Sequence, residues 1–481
     1  MNYIYKIIGF FSLFLFIACG GNEYKPSLST GTTPIFPDYA DVTIPATIAP
    51  LNFKVNSESS KVKAVFQAKE VKLEVMGIER EIMIAPQKWS TLIENAGEKP
   101  IKITVFVSKD GEWEEHYGFK INISKDPIDP YLVYRLIEPG YELWHKMGIY
   151  QRNLSDFKET VVYENENTGH NCVNCHTPNN RKPDEFLLHM RAKHGGTILV
   201  KDGIVKKLNT NYTEKIKGLV YPSWHPNGEY IAFSVNDTKQ TFHANDSNRI
   251  EVFDLYSDIV ILDIKSNKLI TSEKLSADSI FETFPTFSPD GKKLFFCAAN
   301  AVAMPDSIMD IRYGLYAVDL DLQKGYISNK IDTLYNPITQ PKSVSFPRVS
   351  PDGKFLMYTL SKYGNFSIWH RDADLKLIDL TTGEDIDISI LNSDEAESYH
   401  TWSSNGKWVV FSSRRIDGLY TRPYIAHIDS NGVASKPFLL PQEKGQYYDL
   451  FNKSYNIPEF ITGKINRIDH KIRQIAQSQG E

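Results

Sequence analysis

The stretch "FPTFSPDGKKLFFC", residues 284–297, decides how the second half of this chain is read. An aromatic-proline pair opens a short apolar run, Ser-Pro-Asp-Gly breaks it, and a second apolar run follows. Asp-Gly between apolar runs is a strong hairpin signal, because both residues tolerate positive φ. The same pattern returns as "YPSWHPNGEYIAFS" from Tyr221, "FPRVSPDGKFLMYT" from Phe346 and "YHTWSSNGKWVVFS" from Tyr399. Aligned on Phe233, Phe296, Tyr358 and Phe411, the copies lie 63, 62 and 53 residues apart.

Each hairpin is followed by a strand that ends in Asp and a turn: "DIVILDIKSNK" from Asp258, "GLYAVDLDLQK" from Gly314, "DLKLIDLTTGE" from Asp374 and "RPYIAHIDSNG" from Arg422. Four strands per unit, repeated, predict a β-propeller. The combination of the "SPDGK" hairpin and the later "IDLTTGE" resembles the TolB-like family of WD-type propellers, over residues 221–441. That resemblance implies a propeller placed in the cell envelope. The N-terminal domain of TolB itself is not recognisable here, so its role in envelope integrity does not transfer.

The repeat extends backwards. Residues 148–165 and 195–209 both read as a third and fourth strand, and "EFLLHM" (185–190) matches "EYIAFS" as a second strand, with His189 set on Phe233. The expected fold is therefore all-β: a propeller of five or six blades over residues 148–445, with a partial blade completed from the opposite end of the chain. Residues 46–127 alternate strongly, as in "KVKAVFQAKEVKLEV", and predict a small β-sandwich domain. Proline-rich residues 128–147 read as a connector. Residues 446–481 form a C-terminal extension, where Ile461, Ile465, Ile468, Ile472 and Ile475 recur at helical spacing and predict a helix packed on the body.

The composition suits this reading. Aromatics make up 12% of 481 residues, with 26 Tyr and 26 Phe, which favours strands. A formal net charge of −5 argues against nucleic acid as a partner. Residues 1–18 have signal-peptide length, and "FIAC" at their end resembles a bacterial lipobox, with Phe16 where the family usually has Leu. The resemblance implies lipidation of Cys19, a tether over 19–45, and a body held to a membrane of the cell envelope, periplasmic or surface-facing.

Within this β-protein sits "TGHNCVNCHTPNN", residues 168–180. Cys172, Cys175 and His176 form Cys-x-x-Cys-His, the attachment motif of haem c. Two thiols three residues apart reach both vinyl groups of one porphyrin, and the next histidine can ligate the iron. A disulfide, a redox pair and half a zinc site compete with this reading. The redox pair wants a βαβ setting, and zinc wants two more ligands at matching spacing. The haem-binding segment spans 168–196. His189, Met190 and His194 are the candidates for the sixth ligand, and a strand directs His189 and Met190 to opposite faces. The motif with its downstream histidines resembles that of exported lipoprotein propellers carrying "NCVNCH…H-x-R-x-x-H-G", which places His189 and His194 above Met190. Cys297 reads as a buried structural thiol.

His243, His370, His400, Arg414 and Arg415 are candidates for a polar pocket near the channel; His400 stands where three other copies have Pro. No Ser/His/Asp order and no glycine-rich phosphate loop is present. The functional expectation is an exported, membrane-anchored monohaem c-type propeller that exchanges electrons with a partner protein rather than converting a substrate. The alternative is an envelope scaffold that binds a protein or peptide, its haem structural or sensory.

Overall fold

A computed structural model describes every residue except 1–33, 139–145, 211, 217, 244–245, 247 and 479–481. The expected signal peptide, the lipidation site Cys19 and part of the tether therefore lie outside the described residues.

Six four-stranded antiparallel sheets form the body, and each is one propeller blade. Blades 2 to 6 take their strands in chain order from the inside outwards, and their innermost strands are Val173–Pro178, Val220–Trp224, Ile280–Phe287, Ser343–Val349 and Glu397–Trp402. Blade 1 differs. Its second to fourth strands are Tyr131–Ile137, Gly148–Asn153 and Glu159–Glu164, but its innermost strand is Ser454–Ile461, from the far end of the chain. The ring thus closes with strands from both ends. The segment expected as a connector supplies a strand, Tyr131–Ile137, and the C-terminal extension supplies the strand that completes blade 1.

The Asn-Gly and Asp-Gly turns join first to second strands as expected. Gly228, Gly291, Gly353 and Gly406 all have positive φ, between 66° and 75°. In three of these hairpins a serine (Ser288, Ser350 or Ser403) bonds the Asp or Asn two residues on, which fixes the turn.

A second irregularity recurs on every innermost strand. Pairing with the second strand slips after Asn174, Val220, Thr283, Ser345, Ser398 and Asn456. The next residue in each case has positive φ: Cys175 (48°), Tyr221 (49°), Phe284 (52°), Phe346 (53°), Tyr399 (47°) and Ile457 (50°). These are β-bulges, which bend a strand and re-aim its side chains. Here they turn one side chain per blade toward the propeller axis. Four rings stack there in succession, with centroids 4.6 Å (Tyr221–Phe284), 4.4 Å (Phe284–Phe346) and 4.6 Å (Phe346–Tyr399) apart. They make an aromatic plug across the channel.

Ahead of the propeller, Val62–Ala68, Val71–Met76, Ile101–Lys109 and Glu112–Ser124 form a sheet to which Thr43–Pro45 adds in parallel. A three-stranded sheet of Ile35–Phe36, Phe53–Val55 and Glu81–Ile82 accompanies it. The alternation argument gave no sign of helix Pro86–Ala96, which buries Trp89, Leu92 and Ile93 in the same core. That core is continuous with blades 6 and 1, through Trp402, Trp408 and Tyr134.

The C-terminal helix covers Asp469–Gln477, so Ile461 belongs to the closing strand, Ile465 and Ile468 precede the helix, and only Ile472 and Ile475 lie within it. Ile472 and Ala476 are buried with Val162, Val173 and Ile198, where the helix bridges blades 1 and 2. Phe346 stacks on both neighbours in the plug and is 3% exposed. Phe346→Ala should cost about 3–5 kcal/mol, read as a lowered midpoint in denaturant unfolding.

Candidate functional site

The Cys-x-x-Cys-His motif is the innermost strand of blade 2. Cys175 is its bulge residue, and His176 follows where four other blades have Pro222, Pro285, Pro347 and Pro458 and blade 6 has His400. "CHTP" and "IPEF" are thus the fifth and sixth copies of "YPSW". The signal was present in the sequence, but neither copy opens with an aromatic.

Cys172 and Cys175 are both free and buried. Burial raises the Cys175 thiol pKa, while the charges of Arg191 and Arg135 and the Tyr221 main chain pull it down. His176 is 3% exposed, and neither ring nitrogen has a hydrogen-bond partner. Burial, helped by the charge on Arg135, lowers its pKa to about 3, against a smaller pull from the Ile457 and Val133 main chain. Its Nε2 stands 3.8 Å from Glu459 Oε2. Burial raises Glu459 to about 8.

Arg135 crosses the seam between blades 1 and 2. It donates to the Val173 carbonyl (3.1 Å) and to Asn456 Oδ1 (2.9 Å), and its Nε is buried without a partner. Met147, 1% exposed, meets the motif directly: its thioether sulfur accepts the Val173 N–H at 3.3 Å. No sequence argument singled out Met147, because a thioether in a proline-rich segment carries no spacing signal.

The three downstream candidates separate. Pairing of Asn174 with His189 and of Thr177 with Leu187 makes His189 the equivalent of Ser234, Cys297, Thr359, Ser412 and Arg135. Leu188, not His189, occupies the place of Phe233. The expected register was off by one, which on a strand exchanges the two faces. His189 therefore sits at a position that is polar or small in every blade. Its Nδ1 pairs with Thr197 Oγ1 at 3.0 Å, and burial lowers its pKa to about 3. It shares the face of Leu187, which packs toward blade 3. Met190 points the other way, into the core shared with blade 1. His194 lies half-exposed in the short turn Ala192–His194. Among the described residues, no three His, Cys, Asp or Glu side chains group to hold a metal.

The five pocket candidates also divide. His370 Nε2 bonds Glu251 Oε2 at 2.9 Å, Tyr363 bonds Glu251 Oε1 at 2.6 Å, and His243 reaches the same oxygen at 4.0 Å. Beside them, Asp254 accepts from Asn236, Thr238 and Asn365. These contacts tie the long hairpin of blade 3 (Tyr230–Phe242 and Ile250–Asp263) to the loop after Ser361 in blade 5. Arg414 donates from Nε to the Ile368 carbonyl and lies 3.5 Å from the Trp369 ring. Arg415 instead pairs with Glu397 at 3.1 Å. His400 is buried on the Met357 carbonyl at 2.9 Å. No single pocket collects all five. Cys297 is fully buried in the core, where burial raises its pKa.

No family model matches the chain, and no curated protein matches it. Among solved structures, it is similar to an oligogalacturonate lyase in complex with manganese (11% identity, TM-score 0.37), covering 64% of this chain and 73% of that one. A puromycin-hydrolyzing peptidase of Mycobacterium tuberculosis is 13% identical, with a TM-score of 0.36 and coverage of 72% and 52%. The β-propeller domain of the Trilobed protease from Pyrococcus furiosus is 17% identical, with a TM-score of 0.24 and coverage of 45% and 56%. The class of this protein, a six-bladed β-propeller closed by strands from both chain ends, rests on its own six sheets.

Asp254 supplies a test of the hairpin clamp. Burial raises its pKa from 3.8 to about 6. The folded state then binds the proton more tightly than the unfolded chain, so this group makes stability fall as pH rises from about 4 to 6. Asp254→Asn should flatten that part of the stability–pH curve, measured by denaturant unfolding from pH 4 to 7. An unaltered slope would show that Asp254 does not titrate there.

Proposed function

We propose that this propeller carries one covalent haem c on blade 2 and exchanges electrons with a partner protein in the cell envelope. Cys172 and Cys175 would form the thioether links, and His176 would be an axial ligand. The observation that carries this reading is the pair of free, buried thiols next to an imidazole whose two nitrogens are buried without partners. Leaving such a group unsatisfied costs roughly 1–3 kcal/mol, a cost that a metal on one nitrogen removes. The low pKa of His176 also keeps it in the neutral form that ligates.

When bound, haem supplies a one-electron Fe(III)/Fe(II) couple. The chain supplies a sulfur and a nitrogen from one inner strand, and the buried charge of Arg135 beside them. Met147 joins His189 and His194 as a sixth-ligand candidate and stands first, because its sulfur already contacts the motif's main chain. His189 is engaged with Thr197 on the face toward blade 3. The TolB-like repeat and the lipobox at Cys19 support an exported, lipid-tethered setting.

A pyridine haemochrome spectrum of the exported protein should be that of haem c with both vinyl groups saturated. Absence of a haem signal sinks the proposal. Cys172→Ala should lose normal covalent attachment. Met147→Ala should lose the thioether-to-iron charge-transfer band and lower the midpoint potential. An unchanged spectrum and potential would remove Met147 as the ligand.

A further inference from the structure

The other end of the channel, where first strands turn into second strands, holds a site that owes nothing to the haem motif's sulfurs. Two residues after each bulge, one side chain per blade lines a cavity of about 290 Å³: Thr177, Ser223, Thr286, Arg348, Thr401 and Glu459. Blades 2, 3, 4 and 6 contribute a hydroxyl, whereas blades 5 and 1 contribute a cation and a carboxyl. Arg181, from the blade 2 hairpin, adds a second guanidinium to the same cavity. The indoles of Trp224 and Trp402 and the ring of Phe287 supply apolar wall.

The charges in this cavity are not paired with one another. Arg348 donates to its neighbour's carbonyl, Pro347 O at 3.2 Å, and Arg181 Nε donates to Trp402 O at 2.7 Å. Among the described residues, neither guanidinium has a carboxylate within 4.0 Å. Glu459 is 8% exposed; Thr177 bonds its Oε1 at 3.2 Å, while its Oε2 is buried without a hydrogen-bond partner. The cavity therefore presents two half-buried guanidiniums and one buried carboxyl oxygen without a hydrogen-bond partner.

We propose that this cavity binds a ligand carrying a carboxylate next to an N–H, that is, an amino acid or the C-terminal residue of a peptide. The carboxylate faces Arg348 and Arg181, whose planar forks match it in charge and shape. The N–H faces Glu459 Oε2, and the side chain packs on the tryptophans. A cavity near the lower end of the usual ligand range of about 300–1,000 Å³ suits one or two residues rather than a long segment.

Isothermal titration calorimetry of the full protein with N-acetyl-L-leucine, L-leucine and N-acetyl-L-leucinamide tests this. At least one of the two acids should bind, and the amide at least about tenfold more weakly. Tighter binding of N-acetyl-L-leucine points to a peptide end, and tighter binding of L-leucine to a free amino acid. Arg348→Gln should weaken the acid by at least about tenfold without changing the amide. Arg181→Gln is read in the same way and decides the matter if Arg348→Gln fails to fold. Equal affinity for acid and amide, no binding of either acid at millimolar concentration, or unchanged affinity in the folded arginine variants overturns the proposal.

Discussion

The left-handed bulge on each innermost strand is the constraint from which the rest of the molecule follows. A blade's inner strand must present side chains to an axis too narrow for six full strands of them. The bulge solves this by turning one residue inward and shifting the register of those below it. Each such residue holds φ near 50°, a conformation costing on the order of 1–3 kcal/mol for a side chain other than glycine. Six of them persist because the ring is closed: every inward side chain is held by its neighbours, and Ser454–Ile461 supplies the innermost strand of blade 1, paired with Tyr131–Ile137.

This constraint also shapes the chemistry. In blade 2 the last two residues of Cys-x-x-Cys-His are the bulge pair itself. Cys175 therefore points where blades 3 to 6 place Tyr or Phe and blade 1 places Ile457, and His176 is turned toward blade 1. The seam it meets is the one closed by the C-terminal strand, where Arg135, Asn456 and Glu459 gather. Such buried polar groups would be costly in an ordinary blade interface. Here the bulges leave carbonyls and a cavity to receive some of them, while His176 and one oxygen of Glu459 are left unsatisfied.

Much of this was legible in the sequence, for physical reasons that differ by element. The four Asp/Asn-Gly hairpins were readable because the turn chemistry and the period of two coincide in one short stretch. The third and fourth strands of blade 1 were readable by extending the repeat backwards. The strand Ser454–Ile461 was not, because "IPEF" lacks the aromatic and the hairpin, and its partner Tyr131–Ile137 lies over three hundred residues away. The apolar period of the helix that follows absorbed Ile461. His189 was placed one residue off because the turn from Pro178 to Phe186 is longer than that from Trp224 to Tyr230, so matching apolar letters slid the register. Met147 and Arg135 reach the motif only through the closed ring, which no local pattern encodes.

The interior electrostatics carry the argument one step further. Arg135, Arg152, Arg414 and Arg422 are each at least 91% buried, and Arg348 and Arg181 line the channel cavity. Among the described residues, none of the six has a carboxylate within 4.0 Å. They donate to main-chain carbonyls instead, Val173 for Arg135, Ile368 for Arg414, and Lys453 and Phe451 for Arg422, and Arg135 Nε, Arg152 Nη1 and Arg422 Nε are left without a partner. A carbonyl dipole compensates a guanidinium only in part, and moving a cation out of water still costs several kcal/mol. Burial raises the pKa of Glu459, the carboxyl that lines the cavity. In a protein with an overall charge of −5, the channel cavity thus holds two guanidiniums against one carboxyl. That arrangement favours an anionic guest in the cavity, whose carboxylate would meet Arg348 and Arg181. Glu459 Oε2 also stands 3.8 Å from His176 Nε2, so a guest in the cavity and a ligand on His176 would meet at one contact.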